Sequence, residues 1–350
     1  MTGAPWLGLV ACATARSSYF SLCSLTKLPH LKNYITVDEC LDLMLMRGMN
    51  IPDRDFARRF IERTGYYRLS AFCYPFRDFC ELPGRAGRVR CDRFRDGTTF
   101  DQVTAFYLWD KRVRLSINDA IERIEIAIRA AIVDVLGAIN MHGHRDPRSY
   151  KASIREPDEN GNIPIERFAE KLEEAFLRSK EEYAKHFRKS YFGHPPIWIE
   201  SGTWDWGNMA FILQHLQDKH KDSIAFRIHP ELPRNTMESW VNALNGLRND
   251  CAHHSRVWNK NLTNSPGIPK GPAFTEFQHL RGHHEKGAAP TQKLYGALVI
   301  MAYLIKCFHP RTSWHVRMKE MVLNANLPAE VGLASAGFPK GWEDQAVWAG

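Results

Sequence analysis

The spacing of apolar residues along this chain predicts an all-α fold. From Phe100 to about Leu136, apolar residues fall at 103, 106, 113, 117, 120, 121, 124, 128, 131 and 135. That sustained period of about 3.6 residues marks one long helix with a core-facing stripe. Other stretches repeat the pattern, alternating strand-like runs are scarce, and no internal repeat is found.

Residues 1 to about 30 mix Gly, Ala, Ser and Cys without either period and read as a loose, unstructured extension. Order begins at Thr36-Val37-Asp38-Glu39, where a hydroxyl and a carboxylate three residues apart form the capping-box signature. The helix this opens should run to about Arg47 and stop at Gly48. A second short helix follows Pro52, from about Asp53 to Arg63, and ends at Gly65. The aromatic density from Tyr66 to Phe76 points to packing, and Glu81 to Thr98, rich in Gly, Pro and Arg, reads as an exposed basic loop.

The outer face of the long helix carries Asp119, Glu122, Arg123, Glu125 and Arg129, with Glu125 and Arg129 at i,i+4. A polar connector (about 140 to 161) leads to a charged helix from Ile165 to about Lys189, broken before Gly193-His194-Pro195-Pro196. Ile197 to about Gln217 should be helical, weakened by Gly202 and Gly207. Helices are further expected from Pro233 to about Asn259, Leu294 to Cys307 and Trp314 to about Leu323.

Composition narrows the function classes. Hydrophobic residues at 44% and charged ones at 25% describe a chain that folds. The charge of +8 favours a polyanionic partner, although by itself it fits any basic protein. Eight scattered cysteines contain no CxxC pair and no zinc-ligand spacing, so they read as reduced thiols of a cytoplasmic protein without a metal or other cofactor. The longest apolar stretch, Leu294 to Ile305, is too short to span a bilayer, and no membrane role is expected.

One segment carries chemistry. Trp240, Leu244, Leu247, Cys251 and Trp258 share one helical face, whereas Asn242, Asn245, Asn249, His253 and Arg256 share another. Three amides, a histidine and an arginine are an unusual polar face, since solvated surfaces favour Lys and Glu. Asn249 lies at i,i+4 from His253, close enough to orient the imidazole. Arg248 precedes His253 by five residues, about 140° around an ideal helix and ~7.5 Å along it. A second copy facing the first would bring Arg and His from both chains around one phosphate, so the spacing suggests a homodimer.

His254 falls on the apolar stripe and reads as a packed, supporting histidine, and Cys251 as a small core residue. Glu122 and Glu125 are within reach of Arg248, at least one of them being a plain surface ion-pair partner. His142 and His144 with Asp146 lack a fourth ligand, and His283-His284 lies in a similar loop, so neither is read as a metal site.

Arg248-Asn249-Asp250-Cys251-Ala252-His253-His254, continuing to Asn259, resembles the hallmark of the Abi-like abortive-infection proteins, a branch of the HEPN superfamily. That hallmark is Arg, a polar residue, three variable positions and His. Thr36 to Gly48, Gly65 to Ser70, Asp119 to Glu125 and Pro195 to Trp198 resemble the family's other signature segments, in the same order. The resemblance implies one domain over residues 31–350, a HEPN-like helical bundle with a core at about 100–325 and additional N- and C-terminal helices.

It also implies a metal-independent endoribonuclease that arrests growth during phage infection, cutting RNA through its own 2′-hydroxyl. His253 would handle protons, Arg248 would stabilise phosphoryl charge and Asn249 would position, with His254, Glu122, Glu125 and Arg256 supporting. Expected partners are the RNA substrate, a second copy, and a protein or small-RNA antitoxin. A non-catalytic RNA-binding or toxin–antitoxin interaction module is the alternative, and a helical protein-interaction scaffold a third reading.

Overall fold

The stretch with the longest helical period forms the axis around which the molecule is built. In the computed structural model, which describes residues 33–81, 87–281, 290–325, 327 and 331–349, the axial helix α4 spans Phe100–Gly137. Thr99 opens it with a capping box completed by Gln102. Its buried stripe includes Val103, Phe106, Val113, Ile117, Ile121, Ile124, Ile128 and Leu136.

Before α4 come α1 (Val37–Met46), α2 (Arg54–Thr64) and α3 (Tyr66–Cys73). The expected capping box of Thr36 and Glu39 is present, and Gly65, at φ +79°, ends α2 and turns directly into α3. Charge misleads at one place: the expected basic loop is largely an antiparallel hairpin, β1 (Arg77–Glu81) paired with β2 (Arg88–Phe94). Arg88, Arg90 and Arg95 pack their guanidinium groups 5.7, 4.5 and 5.7 Å from the Phe79 ring centroid, so arginines take the place of apolar strand side chains.

Two expected helices are each divided. The charged helix becomes α5 (Pro164–Arg178) and α6 (Glu182–Ser190), because Arg188 donates to the carbonyls of Phe176 (2.7 Å) and Ser179 (2.9 Å) and folds α6 back on α5. The next becomes α7 (Ile197–Glu200) and α8 (Trp206–His215), the latter capped by Asp205. Between them Gly202 admits Tyr183, whose hydroxyl lies 2.5 Å from where a Cβ would stand.

Then follow α9 (Asp218–Ile228), which has no counterpart among the expected helices, α10 (Arg234–Ala252), α11 (Leu294–Phe308) and α12 (Trp314–Leu323). Helix α11 is buried from Leu294 to Ile305, and α4 packs against α3, α9, α10, α11 and α12. Phe338, Trp342 and Trp348 close over Tyr295 of α11. No described helix is long and apolar enough to cross a membrane. The predicted all-α bundle is thus observed, with one small hairpin among the described residues; α1, α2 and α3 precede α4, and beyond α12 the described chain forms only short 3-10 turns. The N-terminal extension and His283-His284 lie outside the described residues.

Candidate active site

Trp240, Leu244, Leu247 and Cys251 all lie on the buried side of α10, which packs against α4 as its apolar stripe requires. Burial pushes the Cys251 thiol up to about 12, as befits a packed residue. The helix ends at Ala252, seven residues before the expected Asn259. His253 is the cap, and His254 turns left-handed at φ +58°.

The N–H of Ser255 donates to the Asp250 carbonyl (2.8 Å) and that of His254 to the Cys251 carbonyl (3.0 Å). This is a Schellman ending, in which the left-handed residue is usually glycine. The turn corrects two expectations. His254 is exposed rather than packed inward, and Arg256 leaves the polar face of the helix.

What fixes the turn is a buried ion pair on α4. The Asp110 carboxylate, fully buried, accepts the N–H groups of Val257 (3.2 Å) and Trp258 (3.0 Å) through Oδ1 and the Arg114 guanidinium through Oδ2. Arg114 also donates to the Ser255 carbonyl (3.3 Å). Burial raises the Asp110 pKa above the usual carboxylate value, with Arg114 and the two N–H groups opposing that rise. Trp258 then packs edge-on against Trp109, with ring centroids 4.7 Å apart.

Helix α3 holds the turn from the other side. Arg68 donates to the His254 carbonyl (2.6 Å) and to the Tyr107 hydroxyl (3.1 Å), and Arg256 donates to the Ala71 carbonyl. Half-buried Arg256 is therefore a tether, and burial lowers its pKa. Sequence reasoning missed Asp110, Arg114 and the role of Arg68. An acid and a base at i,i+4 on the apolar face of a long helix were the available signal for the first two.

On this anchored end Asn249 and His253 are exposed together with His254, beside half-buried Arg248, whose Nη1 lies 3.4 Å from the Asn249 Oδ1. Glu125 of α4 feels the charge of Arg248, yet burial raises its pKa and its direct partner is Arg129 (2.6 Å). Glu122 is exposed, while its neighbours Asp119 and Arg123 pair with each other (2.8 Å). Asn242 and Asn245 are half-buried, and the Asn242 carbonyl accepts from Asn264 (3.4 Å), so that end of the polar stripe meets its own chain.

The arrangement offers an exposed imidazole beside a guanidinium, on a backbone held from behind. Such a site can bind an anion and move a proton next to it. Elsewhere His144 is buried against Glu200, which also pairs with Arg145, His142 bonds the His194 carbonyl (2.9 Å), and Asp146 pairs with Arg148 (2.8 Å). Among the described residues no three His, Cys, Asp or Glu side chains come together where they could hold a metal ion.

A family model described as Abi-like protein matches residues 59–259. The match contains α3, α4, α10 and the turn that follows α10, hence both the exposed pair and the residues that anchor its backbone. No curated protein and no solved structure matches the chain.

Proposed function

This chain belongs to the Abi-like protein family, and from that membership we propose that it is an abortive-infection effector that cleaves RNA without a metal, as HEPN-type ribonucleases do. The observation that carries the reading is the anchored end of α10, where His253 and Arg248 meet solvent while Asp110, Arg114 and Arg68 immobilise the backbone beneath them. Rigid support of this kind keeps catalytic groups in place without reorganisation during the reaction.

In the proposed reaction an imidazole takes the proton of a ribose 2′-hydroxyl. The O2′–P bond forms, the P–O5′ bond breaks, and a proton reaches the departing O5′. The products are a 2′,3′-cyclic phosphate and a 5′-hydroxyl. His253 accepts or donates the proton, Arg248 stabilises the phosphoryl oxygens, and Asn249 positions. Two proton transfers are served best by two imidazoles, so a two-fold dimer with His253 from each copy is part of the proposal.

The test is incubation of labelled RNA with the purified chain in EDTA. Cleavage with cyclic-phosphate ends, lost in Arg248→Ala and in His253→Ala, is expected. Mixing those two inactive chains should restore part of the activity if the site is shared. Binding without cleavage would replace this reading with the RNA-binding module, and indifference to RNA would leave only the scaffold.

A further inference from the structure

Beside the motif a cleft of about 750 Å³ opens between α2, α3, α4 and the end of α10, bordered by Cys251 and His254 but by neither Arg248 nor His253. Its volume falls within the roughly 300–1,000 Å³ of ordinary ligand sites. The lining contains four cationic side chains, Arg63, Arg68, Lys111 and Arg114, and no carboxylate.

Their charges are not equally available. Arg114 is neutralised by Asp110, whereas Arg68 bonds a phenol and a backbone carbonyl, neither of which carries charge. Arg63 and Lys111 are exposed and form no ion pair among the described residues. Glu62, next to Arg63, lines a separate cavity with α1 and the hairpin. Three cations uncompensated by any described carboxylate therefore face one concave space. Between them the walls are largely apolar or aromatic, with Thr64 and Asn118 the neutral polar exceptions: Tyr107 lies under Arg68, and Leu108 and Leu115 remain 39% and 58% exposed. His254 is one of the lining residues, adjacent in the chain to His253.

We propose that this cleft holds the backbone of single-stranded RNA flanking the bond that is cut, with Arg63, Arg68 and Lys111 on its phosphates. Cations interleaved with apolar and aromatic walls suit a strand whose phosphates and base faces are both accessible. A stiff A-form duplex presents phosphates and ribose hydroxyls over a wide surface and cannot enter a concavity of this size. Resting on the RNA-cleaving reading above, the cleft adds to it the strandedness of the substrate and the residues that grip it.

The experiment uses the full chain carrying His253→Ala, which binds without cutting, and follows a fluorescent single-stranded oligoribonucleotide by anisotropy at several salt concentrations. Lys111→Glu and Arg63→Glu should each weaken binding by about tenfold or more and flatten the salt dependence, by about 0.7 in log–log slope for each phosphate no longer neutralised. Arg112→Glu, adjacent but outside the lining, should change binding far less, Lys111→Arg should retain it, and a duplex of the same sequence should bind more weakly. Equal effects of Lys111→Glu and Arg112→Glu, a duplex bound as tightly as the single strand, or an acidic peptide that displaces the RNA and binds more tightly would each overturn the cleft while leaving cleavage intact. If the chain bound no RNA at all, the cleft and the ribonuclease reading would fall together.

Discussion

Replacing Asp110 by Ala removes one carboxylate that three donors share. Val257 and Trp258 lose the acceptor for their N–H groups, and the Arg114 guanidinium, 6% exposed at its side chain, loses its counter-ion. Orphaning a buried N–H costs about 1–3 kcal/mol, and stranding one member of a buried ion pair about 3–5 kcal/mol. The three losses overlap in one group, so they do not add, and a total of about 3–5 kcal/mol is expected. Domains have only about 5–15 kcal/mol of stability in all, so the variant should unfold at much lower urea. Removing both charges, as Asp110→Ala with Arg114→Met, should cost less than the sum of the single changes, because no buried charge is then left alone. The assay is a double-mutant cycle by equilibrium denaturation, with hydrogen exchange reporting on the Val257 and Trp258 amides. A single-variant cost below about 1 kcal/mol, or additivity within about 0.5 kcal/mol, would refute the claim that this pair anchors the turn.

Three further outcomes are expected. His254→Gly should stabilise the fold by roughly 0.5–1 kcal/mol, since relief of a left-handed non-glycine residue outweighs the added chain entropy; a lower urea midpoint than the parent would contradict this. Gly202→Ala should destabilise by about 1–3 kcal/mol by displacing Tyr183, and an unchanged melting temperature would show that the tyrosine moves freely. Burial lowers the pKa of His144, with Glu200 pulling the other way, and burial likewise leads in lowering His215, His220, His279 and His315. The unfolded chain then takes up protons below about pH 6.5 while the folded chain resists. Stability is complete above that pH and falls as pH drops towards the folded pKa values. The slope is at most about 1.4 kcal/mol per pH unit for fully buried His144, and solvent screening makes the partly exposed histidines count for less. Equal urea midpoints at pH 7.5 and 5.5 would contradict that sign, and His144→Gln should reduce the difference.

Much of the fold is legible in the sequence because helix-forming signals are local. The stripe on α4, the capping box at Thr36 and the Gly65 turn each depend on residues within a few positions of one another. What escapes depends on distant partners. Nothing between Ile165 and Lys189 forces the helical period to break, yet Arg188 takes the carbonyls of Phe176 and Ser179 and doubles the segment back. The hairpin is hidden in the same way, since strand alternation made of arginines shows its apolar character only against the ring of Phe79.

The candidate site divides along the same line. Arg248, Asn249 and His253 can be named from sequence because they share a short segment, and the structure places all three on the accessible end of α10. His254 and Arg256 lie where a uniform helix through Asn259 would not put them. No local residue demands the break after Ala252: the chain has no glycine or proline there. The left-handed turn at His254 is held instead by residues 147 and 186 positions distant from their partners, Asp110 through the Val257 amide and Arg68 through the His254 carbonyl. Those two residues sit in segments that look structural when read alone, one within the apolar stripe of a long helix and the other in an aromatic stretch. Their meaning emerges only when the turn is seen to need a buried acceptor on one side and a donor on the other. It follows that the exposed pair cannot be judged apart from its scaffold: loss of Asp110 or Arg68 should disturb the placement of His253 as surely as a change at the neighbouring Asn249, although neither residue belongs to the exposed group.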